Sequence, residues 1–351
     1  MTDFERDISP LLPDRRRQGD FFVCDIFDAA PKGDMASMEH PIFSISTKPD
    51  RRIRRYENGD VFVEVTPSVK GLATVHDRDI LIFCISQIMA ALNNGQAVSQ
   101  ILRFKAFDLL SATNRGTDGR GYEQLRAAFE RLSGTRITTN VTTGDVEVFD
   151  GFGLIDSFRI VRESREGRMQ EVEIRISDWV FNAIRHREVL TINSDYFRLR
   201  KPLERRIYEL ARKHCGAQAK WKIGLKKLKE KCGSSSTDKE FKRLLQNIQE
   251  QDEKFAHIPD YTFFIQGDMV IVLNRSLLQD EEGLDIHLSK EAYHDAAQVA
   301  PGMDVEALEE EWKAWLIDFD MGVPQDPMKA FVTYCRKAYE KQRQQPRIRL
   351  L

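Results

Sequence analysis

The 351-residue sequence contains no apolar run near the ~18 residues that a membrane span requires, so none is expected. Its first residues carry Asp3, Glu5 and Asp7 and no apolar segment, so no signal peptide is expected either. Cysteines are few and scattered: Cys24, Cys84, Cys215, Cys232 and Cys335. An odd, dispersed set argues against a disulfide framework and suits reduced thiols in a cytoplasmic protein. Cys84 lies in the most apolar stretch and is expected in a core. His214, Cys215 and Cys232 invite a zinc reading but lack a second close pair of ligands. The histidines are His40, His76, His186, His214, His257, His287 and His294, and no two lie two positions apart. Metal-dependent strand nicking needs such a pair around an apolar residue, with a tyrosine nucleophile, so catalysis is not expected. Neither a metal nor another cofactor is implied.

Bulk positive charge is also missing, for the net charge is −2. Charge is instead segregated along the chain. Arg198 to Gln249 holds 16 Lys and Arg against five acids, whereas Leu278 to Asp320 holds two Lys against 13 acids. Segregation this strong implies two surfaces for two kinds of partner, the basic one suited to a polyanion.

Periodicity divides the chain into four parts. Residues 1–50 form an arm with too many prolines for long helices, expected to pack on the first domain through Phe21–Val23 and Pro41–Ser46. The triplet Arg15–Arg17 adds exposed positive charge. Residues 51–186 begin with a strand alternating at Val61, Val63 and Val65. A helix apolar nearly all round is expected over Asp77–Leu92, then helices over Lys105–Ala112 and Tyr122–Ser133. The period then changes to two. One hairpin is expected from Ile137–Val141 through a turn at Thr142–Asp145 to Val146, Val148 and Phe149. A second runs from Leu154–Val161 through Glu166–Gly167 to Val172, Ile174 and Ile176. Residues 187–278 repeat the plan, with helices at Pro202–His214, Ile223–Cys232 and Thr237–Gln251 and a hairpin around Gln266–Asp268. Thr237 and Glu240 have the spacing of a capping box. Three helices followed by hairpins, met twice, predict an α+β protein with two tandem winged helix-turn-helix domains. Residues 279–351 form a small acidic helical domain. It has one helix carrying Leu308, Trp312, Trp315, Leu316 and Phe319, a break at Gly322 and Pro324, and a second helix at Phe331–Tyr339. Two helices are too few to cover both tryptophans, so packing against another surface is expected.

The third helix of the second repeat carries the sharpest functional expectation. At about 100° per residue, Phe241, Leu244, Leu245 and Ile248 share one face. Lys239, Lys242, Arg243 and Gln246 fall on the opposite face, where such side chains can reach base edges in a DNA major groove. Lys226, Lys227 and Lys229 on the preceding helix are placed for phosphates, as are Ser235 and Ser236 at the third helix's start. In the first repeat Arg115, Arg120, Gln124 and Arg131 are a weaker set, because Glu123 and Glu130 face outward with them. The loop with Gly116, Gly119 and Gly121 is not a phosphate-binding Walker loop, since no Lys-Ser/Thr follows; a mobile loop beside DNA is expected. Neutralising about eight phosphates would give log affinity a slope near −7 against log salt.

Several stretches resemble the plasmid replication initiators of the replication initiator protein A type. They are Phe21–Asp25, Met35–Ser44, Lys48–Arg54, Glu64–Ser68 and Lys70–Thr74. Arg206–Leu210 and Trp221–Ile223 resemble the wider class of paired-winged-helix initiators. The likeness spans roughly residues 20 to 340. It implies a non-enzymatic protein that binds repeated origin sites (iterons), helps to melt adjacent DNA and recruits host replication proteins such as a helicase, loader or host initiator. It also implies that the C-terminal winged helix makes the main sequence-specific contact. The N-terminal one contributes DNA contacts or self-dimerisation, and dimers repress the initiator's own promoter. A transcriptional repressor on the same fold is the competing reading. The acidic, Trp-containing segment departs from the minimal initiators and is a candidate dock for a host protein.

Overall fold

In the first half of the chain, alternation of apolar residues gives way to helical spacing and back. The computed structural model describes residues 9–15, 31–59, 61–140, 150–162, 169–279, 286–318, 324 and 326–344. Outside these lie the Phe21–Val23 patch, Arg16 and Arg17, the Thr142–Asp145 turn with its returning strand to Phe149, the Glu166–Gly167 turn, Phe319 and Gly322. The chain divides into two units, residues 1–90 with 98–274 and residues 91–97 with 275–351. Apart from residues 91–97, the stretches 51–186 and 187–274 therefore share one unit.

That unit begins with β1 (Lys32–Asp34) and α1 (Met35–Glu39), then β2 (Arg54–Asn58) and β3 (Val61–Thr66). Next come α2 (Arg78–Asn93), β4 (Ile101–Lys105), α3 (Ala106–Ala112) and α4 (Gly119–Gly134). Four strands and a helix follow: β5 (Arg136–Thr139), β6 (Asp150–Gly153), β7 (Ile155–Arg162), β8 (Met169–Ile176) and α5 (Asp178–Arg185). Then β9 (Val189–Thr191) and a 3-10 turn (Ser194–Arg198) lead to α6 (Pro202–His214), β10 (Lys220–Gly224), α7 (Leu225–Cys232) and α8 (Asp238–Phe255). The hairpin β11 (Tyr261–Gln266) and β12 (Met269–Asn274) closes it.

The internal repetition is tighter than the sequence suggests. β4, α3 and α4 begin at 101, 106 and 119; β10, α7 and α8 begin at 220, 225 and 238, a constant offset of 119. Each set is completed by a hairpin, and the two sheets have the same order, β4-β8-β7 and β10-β12-β11. The strands β4 and β10 are missing from the sequence reading. Trp221–Gly224, expected as helix from Ile223 onward, is a strand paired with β12. Lys220 and Lys222 are exposed while Trp221 and Ile223 turn inward, a two-residue period that sets the strand apart from the helix after it. The strand expected at Ile137 is β5, one of the two inner strands of a separate sheet of order β2-β3-β5-β6. It pairs with β3 on one side and on the other with Asp150–Gly153, Thr139 lying opposite Asp150.

The arm packs on both halves rather than on the first alone. Ile42 and Phe43 are buried and Ser44 bridges to Thr74 in the first half. In contrast, β1 pairs with β9, and α1 lies on α6, where Arg206 donates from Nη1 to the Ser37 carbonyl at 3.0 Å. Glu39 binds Lys231 and His214, and these contacts outweigh burial to hold its carboxyl well below the usual range.

A buried ionic cluster joins the halves. The start of α2 carries Asp77, Arg78 and Asp79 in succession, all buried. Arg78 meets Glu209 of α6 at 2.7 Å, and Arg206 meets the other oxygen of Glu209 at 3.0 Å. Tyr196 donates its hydroxyl to Glu209 at 2.6 Å. Asp79 meets Arg205 at 2.6 Å. Burial raises the Glu209 carboxyl, but the two guanidinium groups overcome it and hold it ionised. Such pairs add little net stability, yet removing one partner strands a buried charge.

The second unit contains α9 (Arg275–Gln279), α10 (Lys290–Val299), α11 (Val305–Asp318) and α12 (Pro327–Gln344). Only α11 and α12 are expected from the sequence. α10 supplies the missing cover, since Ala296 and Ala300 join Ile286, Leu308, Leu316, Phe331 and Cys335 around Trp312. Trp312 is thus buried without another surface. Trp315 is 38% exposed and lies beside Tyr334.

Candidate nucleic-acid interface

Helix α7 ends at Gly233, whose φ of +66° is a left-handed conformation that glycine adopts without strain. Thr237 then caps α8, accepting from the Glu240 amide at 3.2 Å. Only half of the expected capping box forms, because Glu240 turns its carboxylate to Arg243 at 2.6 and 2.9 Å. Phe241, Leu245 and Ile248 are buried as expected, and Leu244 packs at the core's edge. This apolar stripe fixes α8 by area burial worth about 1.5–3 kcal/mol for each large side chain. α8 runs on to Phe255, four residues beyond the expected end.

The opposite face of α8 is polar and borders the β11–β12 hairpin. Lys239, Arg243 and Gln246 are exposed and Lys242 is half-buried. Lys242 donates to the Gly267 carbonyl in the hairpin turn at 2.9 Å, and the Gln249 side chain accepts from the Ile265 amide at 3.0 Å. These bonds set the angle of the hairpin against the helix. A groove between them is lined by Lys242, Gln246, Gln249, Glu250, Ile265 and Gly267. On α7, Lys226 and Lys227 are exposed, with Lys227 3.4 Å from Glu230. Lys229 pairs with Asp238 at 2.6 Å. Ser235 is exposed and Ser236 bonds Ser234. The exposed pairs Arg243–Glu240 and Lys229–Asp238 are weak in water and can exchange their carboxylates for phosphate.

The first-half set divides. Arg120 and Gln124 of α4 are exposed as expected, next to exposed Glu123. Arg115 and Arg131 are not available as outward cations. Arg131 grips Asp77 through Nε and Nη2 at 2.7 and 2.6 Å. Arg115 donates to the His76 carbonyl and lies 3.3 Å from Asp79. Two carboxylates buried at the start of α2 require cations, and these arginines supply them. The glycine loop packs closely on itself. Asp118 caps α4 at Gly121, and a Cβ on Gly121 would fall 1.8 Å from the Gly116 carbonyl oxygen. The Asp77-Arg78-Asp79 run at the head of an apolar helix is the sequence signal for this internal use.

Arg51 and Arg52 lie beside the α7–α8 surface and are not among the residues expected from the sequence. Both are exposed, and Arg52 Nη2 lies 3.4 Å from Ser235 Oγ in the α7–α8 turn. Four arginines within Arg51–Arg55 are the signal. The His214, Cys215 and Cys232 trio does not form a site. Cys215 bonds the Gln218 carbonyl, Cys232 is buried with its thiol pushed up to about 12, and His214 stacks on Trp221. Among the described residues no helix is long and apolar enough to cross a membrane.

Residues 32–263 match the family model for replication initiator protein A. A putative replication protein of Wigglesworthia glossinidia brevipalpis is 38% identical over 256 residues, covering 72% of this chain and 91% of that protein. The chain belongs to the replication initiator protein A family, and its role lies in initiating DNA replication. Two crystal structures of domains 2 and 3 of RctB are similar at a TM-score of 0.47. They are 14% and 12% identical, cover 66% and 68% of this chain, and are themselves covered to 94% and 96%. At those values the likeness has no bearing on function.

Proposed function

We propose that the protein binds repeated sites in a plasmid origin through α8, with α7 and the β11–β12 hairpin gripping the backbone on either side. The carrying observation is the pairing of a basic, exposed α8 face with an adjoining hairpin in a strand–helix–helix–hairpin order. That order, occurring twice, supports reading each repeat as a winged helix-turn-helix. The second repeat is the main reader. Its outward residues Lys239, Arg243 and Gln246 are side chains suited to base edges, whereas those on α7 suit phosphates. The first repeat contributes Arg120 and Gln124 or a self-dimer contact. The protein acts by binding rather than catalysis, a reading supported by the lack of closely spaced histidines.

Origin opening and the recruitment of a host helicase, loader or initiator complete the proposal. The acidic second unit, with Trp315 partly exposed, is the proposed dock. A footprint of the full-length chain on its origin tests the DNA reading; repeated protected sites support it. An origin-dependent maintenance assay separates an initiator from a repressor. Trp315→Ala is expected to leave the footprint intact and impair maintenance, and unimpaired maintenance would remove Trp315 from the dock.

A further inference from the structure

The segment that opens β2 comes from the first half of the unit but lies against the α7–α8 turn of the second. Arg54 donates to the Gly233 carbonyl at 2.9 Å, and it also contacts Asp50 and Ser44. It is nearly buried and serves as the anchor. Asp50, 4% exposed, lies between two arginines and is held well below the usual carboxylate range, with Arg52 the leading cause. Asp50 takes one edge of the Arg52 guanidinium, from Nε at 3.1 Å and Nη2 at 2.9 Å. Nη1 has no hydrogen-bond partner among the described residues, and the Arg52 side chain is 66% exposed. Arg51 beside it is exposed and makes no ion pair among the described residues. A flexible surface arginine would lose rotamer freedom on meeting a ligand; Arg52 is already held by a buried acid.

We propose that Arg51 and Arg52 are DNA-backbone contacts flanking the site read by α8, so that one half of the chain extends the other half's footprint. This rests on the DNA-binding reading above. The fitting occupant is the duplex already engaged by α8. Arg52 touches Ser235 in the same turn that carries Ser236 and the Thr237 cap, so the arginines continue the α7–α8 basic surface without a break. Guanidinium groups held in this way match phosphate oxygens and carry no base code. The first half has a parallel. Arg15 binds the Asn114 side chain through its amide at 2.7 Å, at the position 119 residues before Gly233, and Asn114 shares its left-handed φ, 55° against 66°. Both helix-turn-helix turns therefore receive an arginine-bearing segment from the N-terminal part of the chain.

The test uses the full-length chain and a duplex that it selects from a random-sequence pool, with long flanks on both sides. The double variant R51A/R52A is expected to melt somewhat lower than wild type, since Arg52 pairs with the buried Asp50, so affinities are compared at equal folded fraction, with R51A alone, which breaks no ion pair among the described residues, as the stability-neutral control. Affinity is expected to fall about tenfold at moderate salt. The slope of log affinity against log salt should become shallower by roughly 1 for each arginine. Trimming the flanks one base pair at a time should reach a length at which wild type and variant bind alike. Wild-type affinity and slope in the variant on the long duplex, with K239A still impaired, would overturn this proposal alone. Equal losses at every duplex length would overturn it too. Failure of wild type to select any sequence would instead sink the DNA-binding reading on which it rests.

Discussion

Arg131 and Asp77 form a two-point ion pair, 2.7 and 2.6 Å between the guanidinium and the two carboxylate oxygens. The pair ties the last turn of α4 to the head of α2. It converts a residue whose helical position looks outward into a structural one. The same head uses Arg78 to reach Glu209 and Asp79 to reach Arg205, so α4, α2 and α6 are held by consecutive residues of one short run.

Replacing Arg131 is accordingly expected to cost stability and to spare DNA binding. Arg131→Ala should lower unfolding free energy by roughly 1.5–3 kcal/mol, the range for hydrogen bonds to charged groups. Denaturant titration measures the loss, and affinity for the selected duplex should remain within about twofold once folded fractions are equal. A large affinity loss without destabilisation would return Arg131 to the interface.

The Arg78–Glu209 pair carries a larger penalty. Arg78→Ala strands Glu209 between fewer cations in a buried site, and about 3–5 kcal/mol of destabilisation is expected. Arg78→Met, which keeps most of the volume and removes the charge, should lose nearly as much, since Glu209 keeps only Arg206. An Arg78→Met variant as stable as wild type would assign the penalty to lost volume rather than to the uncompensated charge.

Acidification should loosen the arm. Burial is the main cause that depresses His40 from its ordinary 6.5 to about 4; Glu39 opposes it, while Lys231, Arg206 and Lys213 add to it. His40 therefore stays neutral in the folded chain while the unfolded chain takes up a proton near 6.5. Its contribution is fully present above pH 6.5 and is lost progressively as pH falls towards 4. The pH dependence of unfolding free energy measures this. His40→Gln should flatten the curve in that window, and an unchanged curve would assign the acid sensitivity to other groups.

Helices with one long apolar stripe were legible from spacing alone. Phe241, Leu245 and Ile248 predict the buried face of α8, and Leu125, Ala128, Phe129 and Leu132 that of α4. Short elements were not. β4 and β10 are edge strands of five residues, so the alternation of Lys220–Ile223 covers too few positions to stand out from the helix that follows. Helix α10 is built on alanines and shows little contrast between its faces, yet Ala296 completes the cover over Trp312. The exposed face of α8 was legible, as at Lys239 and Gln246, which lie outward where helical spacing puts them. It was misread where a long-range ion pair recruits a surface-patterned arginine, as at Arg115 and Arg131. Local spacing carries no information about a partner 54 residues away.

In the proposed complex, α8 reads the base sequence while α7 and the β2 segment hold the backbone. The direct measurement is the affinity of K239A, Q246A and K226A for the selected duplex and for every single-base-pair substitution of it. Lys239→Ala and Gln246→Ala are each expected to flatten discrimination at one or two base pairs, by about 1–3 kcal/mol per pair. Lys226→Ala should weaken all duplexes alike. Uniform weakening by all three variants, with discrimination unchanged, would contradict the assignment of α8 as the reader.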